Sequence, residues 1–284
     1  MKNFTLIILF SCYLLNSFSQ NYSGQIINKK SREPIPFANI GIIGKNVGTV
    51  SDVSGLLTIE LNKELDNDTL CISCIGYEKR AYLVVDFKKA IENSQQFKIE
   101  LSPKSYQLDE ITIQPIDTKT YTLGNLCDSN SAYGNAFYSN KLGTEMGVII
   151  NLPGRKNQAF LKNFRFYVGE FTFDDFPVRL NVYNLINGKP SANILTEPIF
   201  FEITSAGEYI IDLTKYNIVT EGDFFISLEY YRIADQKDGK LTFCAVHNRK
   251  ANKGNGYYRL ASQGNWQREM FDNVGFSVQV ECEK

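Results

Sequence analysis

Cysteine and histidine carry the most versatile chemistry in this chain, and their number and spacing limit what it can do: 6 Cys and 1 His. Cys71-Ile72-Ser73-Cys74 has the form of a redox pair or of half a zinc site. A redox pair normally opens a helix, whose N-terminus lowers the thiol pKa. This one sits in a strand-like run, where three steps cover roughly 10 Å, beyond the roughly 7 Å a disulfide tolerates. On that strand Cys74 aligns with Leu70 and Ile72 and is expected inside, whereas Cys71 aligns with Thr69 and Ser73 and is expected to face outward. No second Cys-x-x-Cys completes a tetrahedral zinc set. Cys244 and His247 could supply two metal ligands, with Cys127 or Cys282 as partners, but a strand puts them on opposite faces. Asp52, followed by Ser54 and Gly55, lacks the alternating oxygens of a calcium loop and reads as a side chain capping its own turn. Asp174-Asp175 is too small a carboxylate cluster to single out as a cation site. No cofactor and no metal are expected.

Enzyme signatures are equally sparse. There is no Gly-x-Ser-x-Gly elbow, a lone His serves at most one triad, and Gly254-Asn255-Gly256 reads as a turn rather than a phosphate loop. The 31 acidic residues are scattered, with no pair standing out for glycoside hydrolysis. The expectation is a non-enzyme. Against those acids stand 30 Lys and Arg, so nothing supplies the basic surface a nucleic acid requires. The binding chemistry with some physical appeal is sugar stacking on aromatic rings. Tyr257, Tyr258 and Trp266 lie in a Gly- and Asn-rich stretch and are the candidate ligand residues, with one of the consecutive tyrosines expected to point inward.

The elements that position these residues follow an N-terminal export signal. Lys2 precedes an apolar run over residues 4–15, then Asn16, Ser17, Phe18 and Ser19, the pattern of a secretory signal peptide cleaved after Ser19. Cys12, preceded by Leu9, Phe10 and Ser11, offers a lipoprotein alternative. The run is shorter than the roughly 20 residues of a membrane-spanning helix, so no transmembrane segment is expected in the mature chain. Removal of the signal leaves Cys71, Cys74, Cys127, Cys244 and Cys282, an odd count that leaves at least one thiol unpaired within the chain. Cys282 is either buried or paired with Cys127 or Cys244.

Residues 20–102 alternate apolar and polar side chains in short runs. Ala38, Ile40 and Ile42 share one face, as do Leu57, Ile59 and Leu61, and again Phe97, Ile99 and Leu101. Only residues 86–93 look helical. Glu33-Pro34-Ile35-Pro36-Phe37-Ala38-Asn39-Ile40, Gly48-Thr49-Val50-Ser51-Asp52-Val53-Ser54-Gly55-Leu56-Leu57 and Ile72-Ser73-Cys74-Ile75-Gly76-Tyr77 together resemble the carboxypeptidase-like regulatory domain of exported Bacteroidota proteins. The resemblance implies a transthyretin-like, seven-stranded β-sandwich. The family name marks kinship with a non-catalytic accessory domain and implies no peptidase activity.

The segment from Ser102 through Leu108-Asp109-Glu110-Ile111-Thr112-Ile113 resembles the stretch that follows this domain in TonB-dependent outer-membrane receptors. There a plug and a barrel come next. A barrel of some twenty or more strands exceeds what remains here, so a stand-alone relative without the barrel is expected. Residues 103–133 read as a linker with one short strand, Ile111, Thr112 and Ile113, which could add to a partner's sheet. Residues 134–284 are again strand-rich: Phe164, Phe166 and Val168 share one face, as do Val178, Leu180 and Val182, and again Phe224, Ile226, Leu228 and Tyr230. Their order resembles the jelly-roll domains of bacterial surface proteins, some of which bind carbohydrate. The expectation is an all-β protein of two sandwiches in the periplasm or at the cell surface. Its partner would be an envelope or surface protein, or a glycan.

Overall fold

The computed structural model describes residues 19–94, 97–104, 117–127, 133–137, 141–155, 158–234, 239–247, 254–269 and 272–283. The N-terminal signal and the strand expected at Ile111, Thr112 and Ile113 lie outside these residues.

Alternation builds the first sandwich. Strands β1 (Gln20–Asn28), β2 (Asn39–Ile42), β3 (Gly48–Val50) and β4 (Leu56–Leu61) are followed by β5 (Thr69–Ser73) and β6 (Arg80–Leu83). Helix α1 (Val84–Glu92) and β7 (Lys98–Leu101) complete the unit. In β4, Leu57, Ile59 and Leu61 are buried while Leu56, Thr58 and Glu60 face solvent, a period of two that turns one face to the core. One sheet runs β4-β1-β7 and the other β3-β2-β5-β6, giving the seven-stranded sandwich that the family resemblance implies. Ile26, Ile40, Ile72 and Ile99 meet between the sheets, and α1 adds Val84 and Phe87. Asp52 caps its turn by accepting hydrogen bonds from the Ser54 and Leu56 amides, both at 2.8 Å.

The second sandwich takes strands from most of the remaining chain. They are β8 (Thr118–Gly124), β9 (Tyr133–Asn135), β10 (Glu145–Ile150), β11 (Gln158–Phe171), β12 (Phe176–Ile186) and β13 (Lys189–Asn193). Next come β14 (Ile199–Ile203), β15 (Gly207–Asp212), β16 (Val219–Glu221), β17 (Phe224–Tyr230) and β18 (Leu241–His247). The last are β19 (Gly256–Arg259), β20 (Gln267–Arg268), β21 (Asp272–Val274) and β22 (Phe276–Glu283). One sheet has the order β13-β12-β17-β10-β19-β20, with β14 also on β12; the other runs β21-β18-β11-β22-β8, with β15 and β16 on β11. Val148, Phe164, Val178, Leu180, Ile226 and Phe276 pack between them, fully buried.

Two expectations are corrected, and one question left open by the sequence is answered. The stretch read as linker through residue 133 contributes β8, which pairs along β22 from Ser277↔Gly124 to Glu283↔Thr118 and so belongs to the second sandwich. Cys71 does share a face with Ser73, but that face is not open to water: the second sandwich covers it and Cys71 is buried. The cysteine pairing left open by sequence is Cys127 to Cys244, with Cα atoms 6.4 Å apart. Gly275 makes room for the bridge, since a Cβ there would stand 2.1 Å from the Cys127 sulfur. Cys282 is buried in the second core and forms no disulfide.

Candidate functional site

β12 and β17 are buried along every residue from Phe176 to Tyr183 and from Phe224 to Tyr230. Their inner residues meet the sandwich core. Their outer residues are mostly polar and are covered by the first sandwich. Register aligns them into a row across four strands: Arg179 of β12 opposite Glu229 of β17, Glu229 opposite Glu145 of β10, and Glu145 opposite Arg259 of β19. The order of charge is plus, minus, minus, plus. Cross-strand neighbours of opposite sign attract and the two central carboxylates repel, so their shared hydrogen bonds decide whether the row is stable.

Those bonds are extensive. Arg179 donates to Glu229 Oε2 through Nε at 3.0 Å and Nη2 at 2.8 Å. Arg259 pairs with Glu145 Oε2 at 2.5 Å and donates to Tyr183 Oη at 3.2 Å, while the Tyr183 hydroxyl donates to the same carboxylate at 3.1 Å. Asn181 Nδ2 bridges the acids, reaching Glu145 Oε1 at 3.0 Å and Glu229 Oε2 at 2.8 Å, and Ser227 Oγ donates to Glu145 as well. Both glutamates are completely buried. Burial pushes the Glu145 carboxyl above its usual range, Arg259 pulls it back and the neighbouring Glu229 pushes it further up. Burial also works upward on Glu229, but Arg179 and Arg259 outweigh it and hold this carboxyl below the usual range. Burial, and then the charge of Glu145, raises Tyr183 well above the ordinary tyrosine range, so it stays a hydroxyl donor.

The row also fastens the two sandwiches. Arg179 Nη1 donates to the Phe37 carbonyl at 2.7 Å and Nη2 to Asn39 Oδ1 at 2.6 Å. The Phe37 ring packs edge-on against Tyr231 at 4.8 Å and Phe200 at 5.4 Å. Beside it, the turn at residues 261–265 inserts against β2 and β3. Gly44 N donates to Gln263 O at 2.9 Å, Asn265 Nδ2 to Gly44 O at 2.8 Å, and Gln263 Nε2 to Ser73 Oγ at 2.9 Å. The approach is close because two glycines permit it. A Cβ on Gly41 would lie 2.0 Å from the Ser262 carbonyl, and one on Gly48 2.6 Å from the same atom. Cys74 packs partly against the first core, near enough to Arg179 and Glu229 for their charges to act on it, and burial pushes its thiol up.

The aromatics singled out from sequence divide between the two faces. Tyr258 packs against the second core and its hydroxyl donates to Gln267 at 3.0 Å. Tyr257 lies on the outer face, 6.3 Å from Phe225. Trp266 is half-buried, edge-on to Phe225 at 4.9 Å and to Tyr183 at 5.7 Å, with the Arg259 guanidinium 4.8 Å from its ring centre. It therefore braces the end of the ionic row. No group of three or more metal-ligating side chains gathers among the described residues. Sequence reasoning missed Glu145, Arg179, Glu229 and Arg259. Arg179 and Asn181 read as solvent-facing partners of Val178 and Leu180, and nothing local to any one strand reveals the register that lines the four up.

The family description of CarboxypepD_reg-like domains matches residues 22–113. The first sandwich is a CarboxypepD_reg-like domain. Its match runs past β7 into residues outside those described. No curated protein matches the chain. Among solved structures, the cysteine protease and lectin-like domains of Cwp84, a surface layer associated protein of Clostridium difficile, align over 56% of this chain at 12% identity and a TM-score of 0.34. The alignment spans 37% of that structure's own length. The structure of infectious bursal disease virus Gx strain aligns over 93% of this chain and 67% of its own, at 10% identity and a TM-score of 0.28. These likenesses are loose. The CarboxypepD_reg-like domain and its docking onto the second sandwich rest on the residues described above.

Proposed function

We propose that the protein is an exported, non-catalytic binding module of the bacterial cell envelope, in which the CarboxypepD_reg-like domain and the second sandwich act as one rigid body. One observation carries this reading. Two glutamates do converge, as in an acid–base pair, but both are fully buried under the first sandwich, and three of their four oxygens are held by Arg179, Arg259, Asn181, Tyr183 and Ser227, with Glu229 Oε1 left without a hydrogen-bond partner. A buried ionic row of this kind is weak evidence for stability, and its role is read as fixing how the two sandwiches meet. The signal-like N-terminus and the Cys127–Cys244 disulfide support an oxidising compartment. No helix among the described residues is long and apolar enough to cross a membrane.

The decisive experiment incubates the full chain with panels of glycosides, peptides and esters. No turnover is expected. Turnover abolished by Glu145→Gln or Glu229→Gln would overturn the reading in favour of a hydrolase. Carbohydrate binding through Trp266, Tyr257 and Tyr258 is the rival. Trp266 keeps part of its ring exposed, which favours that rival, and a glycan array with wild type and Trp266→Ala separates the two.

A further inference from the structure

We propose that the cleft along the free edge of β4, between the two sandwiches, is a docking groove for an extended segment of a partner protein, which adds to β4 as a new strand. This deepens the reading of the chain as a binding module and rests on it. β4 ends the order β4-β1-β7 and β3 ends the order β3-β2-β5-β6, so two open edges lie side by side. The direction of the β4 main chain follows from its bonds. Ile26 N donates to Gly55 O, Gln25 N turns away to Phe97 O, and both the N–H and the C=O of Leu56 are taken by Asp52. In an antiparallel pair these directions alternate residue by residue, so Leu57, Ile59 and Leu61 bond β1 while Thr58 and Glu60 aim N–H and C=O into the cleft. No described residue hydrogen-bonds these outward groups.

Natural edges are usually blunted by bulges, prolines or inward charges. On β4 itself only Glu60 serves, and the walls are mixed: one end is mainly apolar, with Val50, Val53, Leu56, Leu57, Leu142 and Ile233, and the other is more polar, with Asn46, Asn62 and Lys141. Two cavities of about 550 and 460 Å³ share Thr49, Thr58, Leu142 and Ile233, forming one cleft along the strand. Val53 (71% exposed), Leu56 (51%) and Ile233 (60%) stand around it. Such residues are unremarkable singly but informative as a group. A strand of six residues spans about 20 Å, room for a segment of similar length. The cleft continues the established domain interface, since Phe37 and Tyr231, packed together at 4.8 Å, line both. That continuity also selects the occupant. Leu142 and Ile233 of the second sandwich line the cleft opposite Thr58, so a narrow extended segment, rather than a second folded sheet, is the partner proposed to enter it. Main-chain bonds to Thr58 and Glu60 would supply affinity, and apolar side chains at alternate positions would supply specificity.

The test pans a random dodecapeptide library against the full chain and measures binding of the most enriched peptide by fluorescence anisotropy. Enriched sequences should carry apolar residues at alternate positions. Thr58→Pro removes one outward donor at an edge position where proline is tolerated, and Ile233→Asp charges the facing wall without touching β4. Each should weaken the peptide by about tenfold or more, with Ile233→Asp melting as wild type does. No enrichment over the Ile233→Asp protein, or equal binding by both variants, would overturn the proposal. So would a dimer abolished by Ile233→Asp, which assigns the cleft to a second copy, or a glycan hit lost in that variant, which assigns it to sugar. None of these results bears on turnover, so failure here and failure of the non-catalytic reading are separable.

Discussion

Glu145 and Glu229 accept hydrogen bonds from one amide nitrogen of Asn181, yet their surroundings drive them apart, Glu145 upward and Glu229 downward. Their effects on stability oppose each other. The lowered carboxyl of Glu229 contributes stability above the ordinary glutamate value of 4.5, and that contribution is lost as pH falls through its folded value. The raised carboxyl of Glu145 does the reverse, so stability rises as acidification protonates it, before Glu229 is reached. Urea midpoints against pH should therefore rise and then fall. Glu229→Gln should reduce the acid-side fall, to which the lowered carboxyls of Glu100 and Asp212 also contribute, and cost about 3–5 kcal/mol at neutral pH, because it leaves Arg179 buried and under-paired. Arg179→Met should cost a similar amount and in addition release Phe37 and Asn39. Trp266→Ala should loosen the other end of the row, where the ring lies against Arg259. An unchanged glycan-array profile in that variant is the expected result, and loss of a specific hit would favour the carbohydrate reading.

Strands of one residue type inside and another outside were legible wherever one face met water. Leu57, Ile59 and Leu61 on β4 and Phe276, Val278 and Val280 on β22 lie as alternation predicts. Helix α1 falls within two residues of its expected start. β8 escaped notice because its outward residues are Thr118, Thr120 and Thr122, and the face carrying the half-buried Tyr121 and Leu123 begins with the exposed Lys119. β12 was legible as a strand but not as one covered on both sides, since the cover is a different domain more than a hundred residues away in sequence. The glycines that admit that cover looked like ordinary turn or strand residues. Gly41→Ala places a methyl group against the Ser262 carbonyl and should part the sandwiches without unfolding either. The expected outcome is limited proteolysis at a rate well above wild type, with far-UV circular dichroism unchanged.

For the whole molecule the Cys127–Cys244 bridge closes a loop across a sequence separation of 117. A loop of that size stabilises by about 3–5 kcal/mol, mainly by restricting the unfolded chain. Replacing both cysteines with serine should lower the urea midpoint accordingly, and reduction of the wild type should match the double variant. The docking of residues 261–265 against β2 and β3 has a further consequence for biogenesis. A polypeptide crossing a membrane from its N-terminus delivers the first sandwich long before the turn that covers it. On the proposed export route, Cys71 and its glycine-lined face stand uncovered until the turn at residues 261–265 arrives, alongside Cys127, the thiol that must wait for Cys244. Secretion yield would then depend on how fast that turn arrives, and a Cys71→Ala chain should accumulate fewer cross-linked aggregates during export than the natural one.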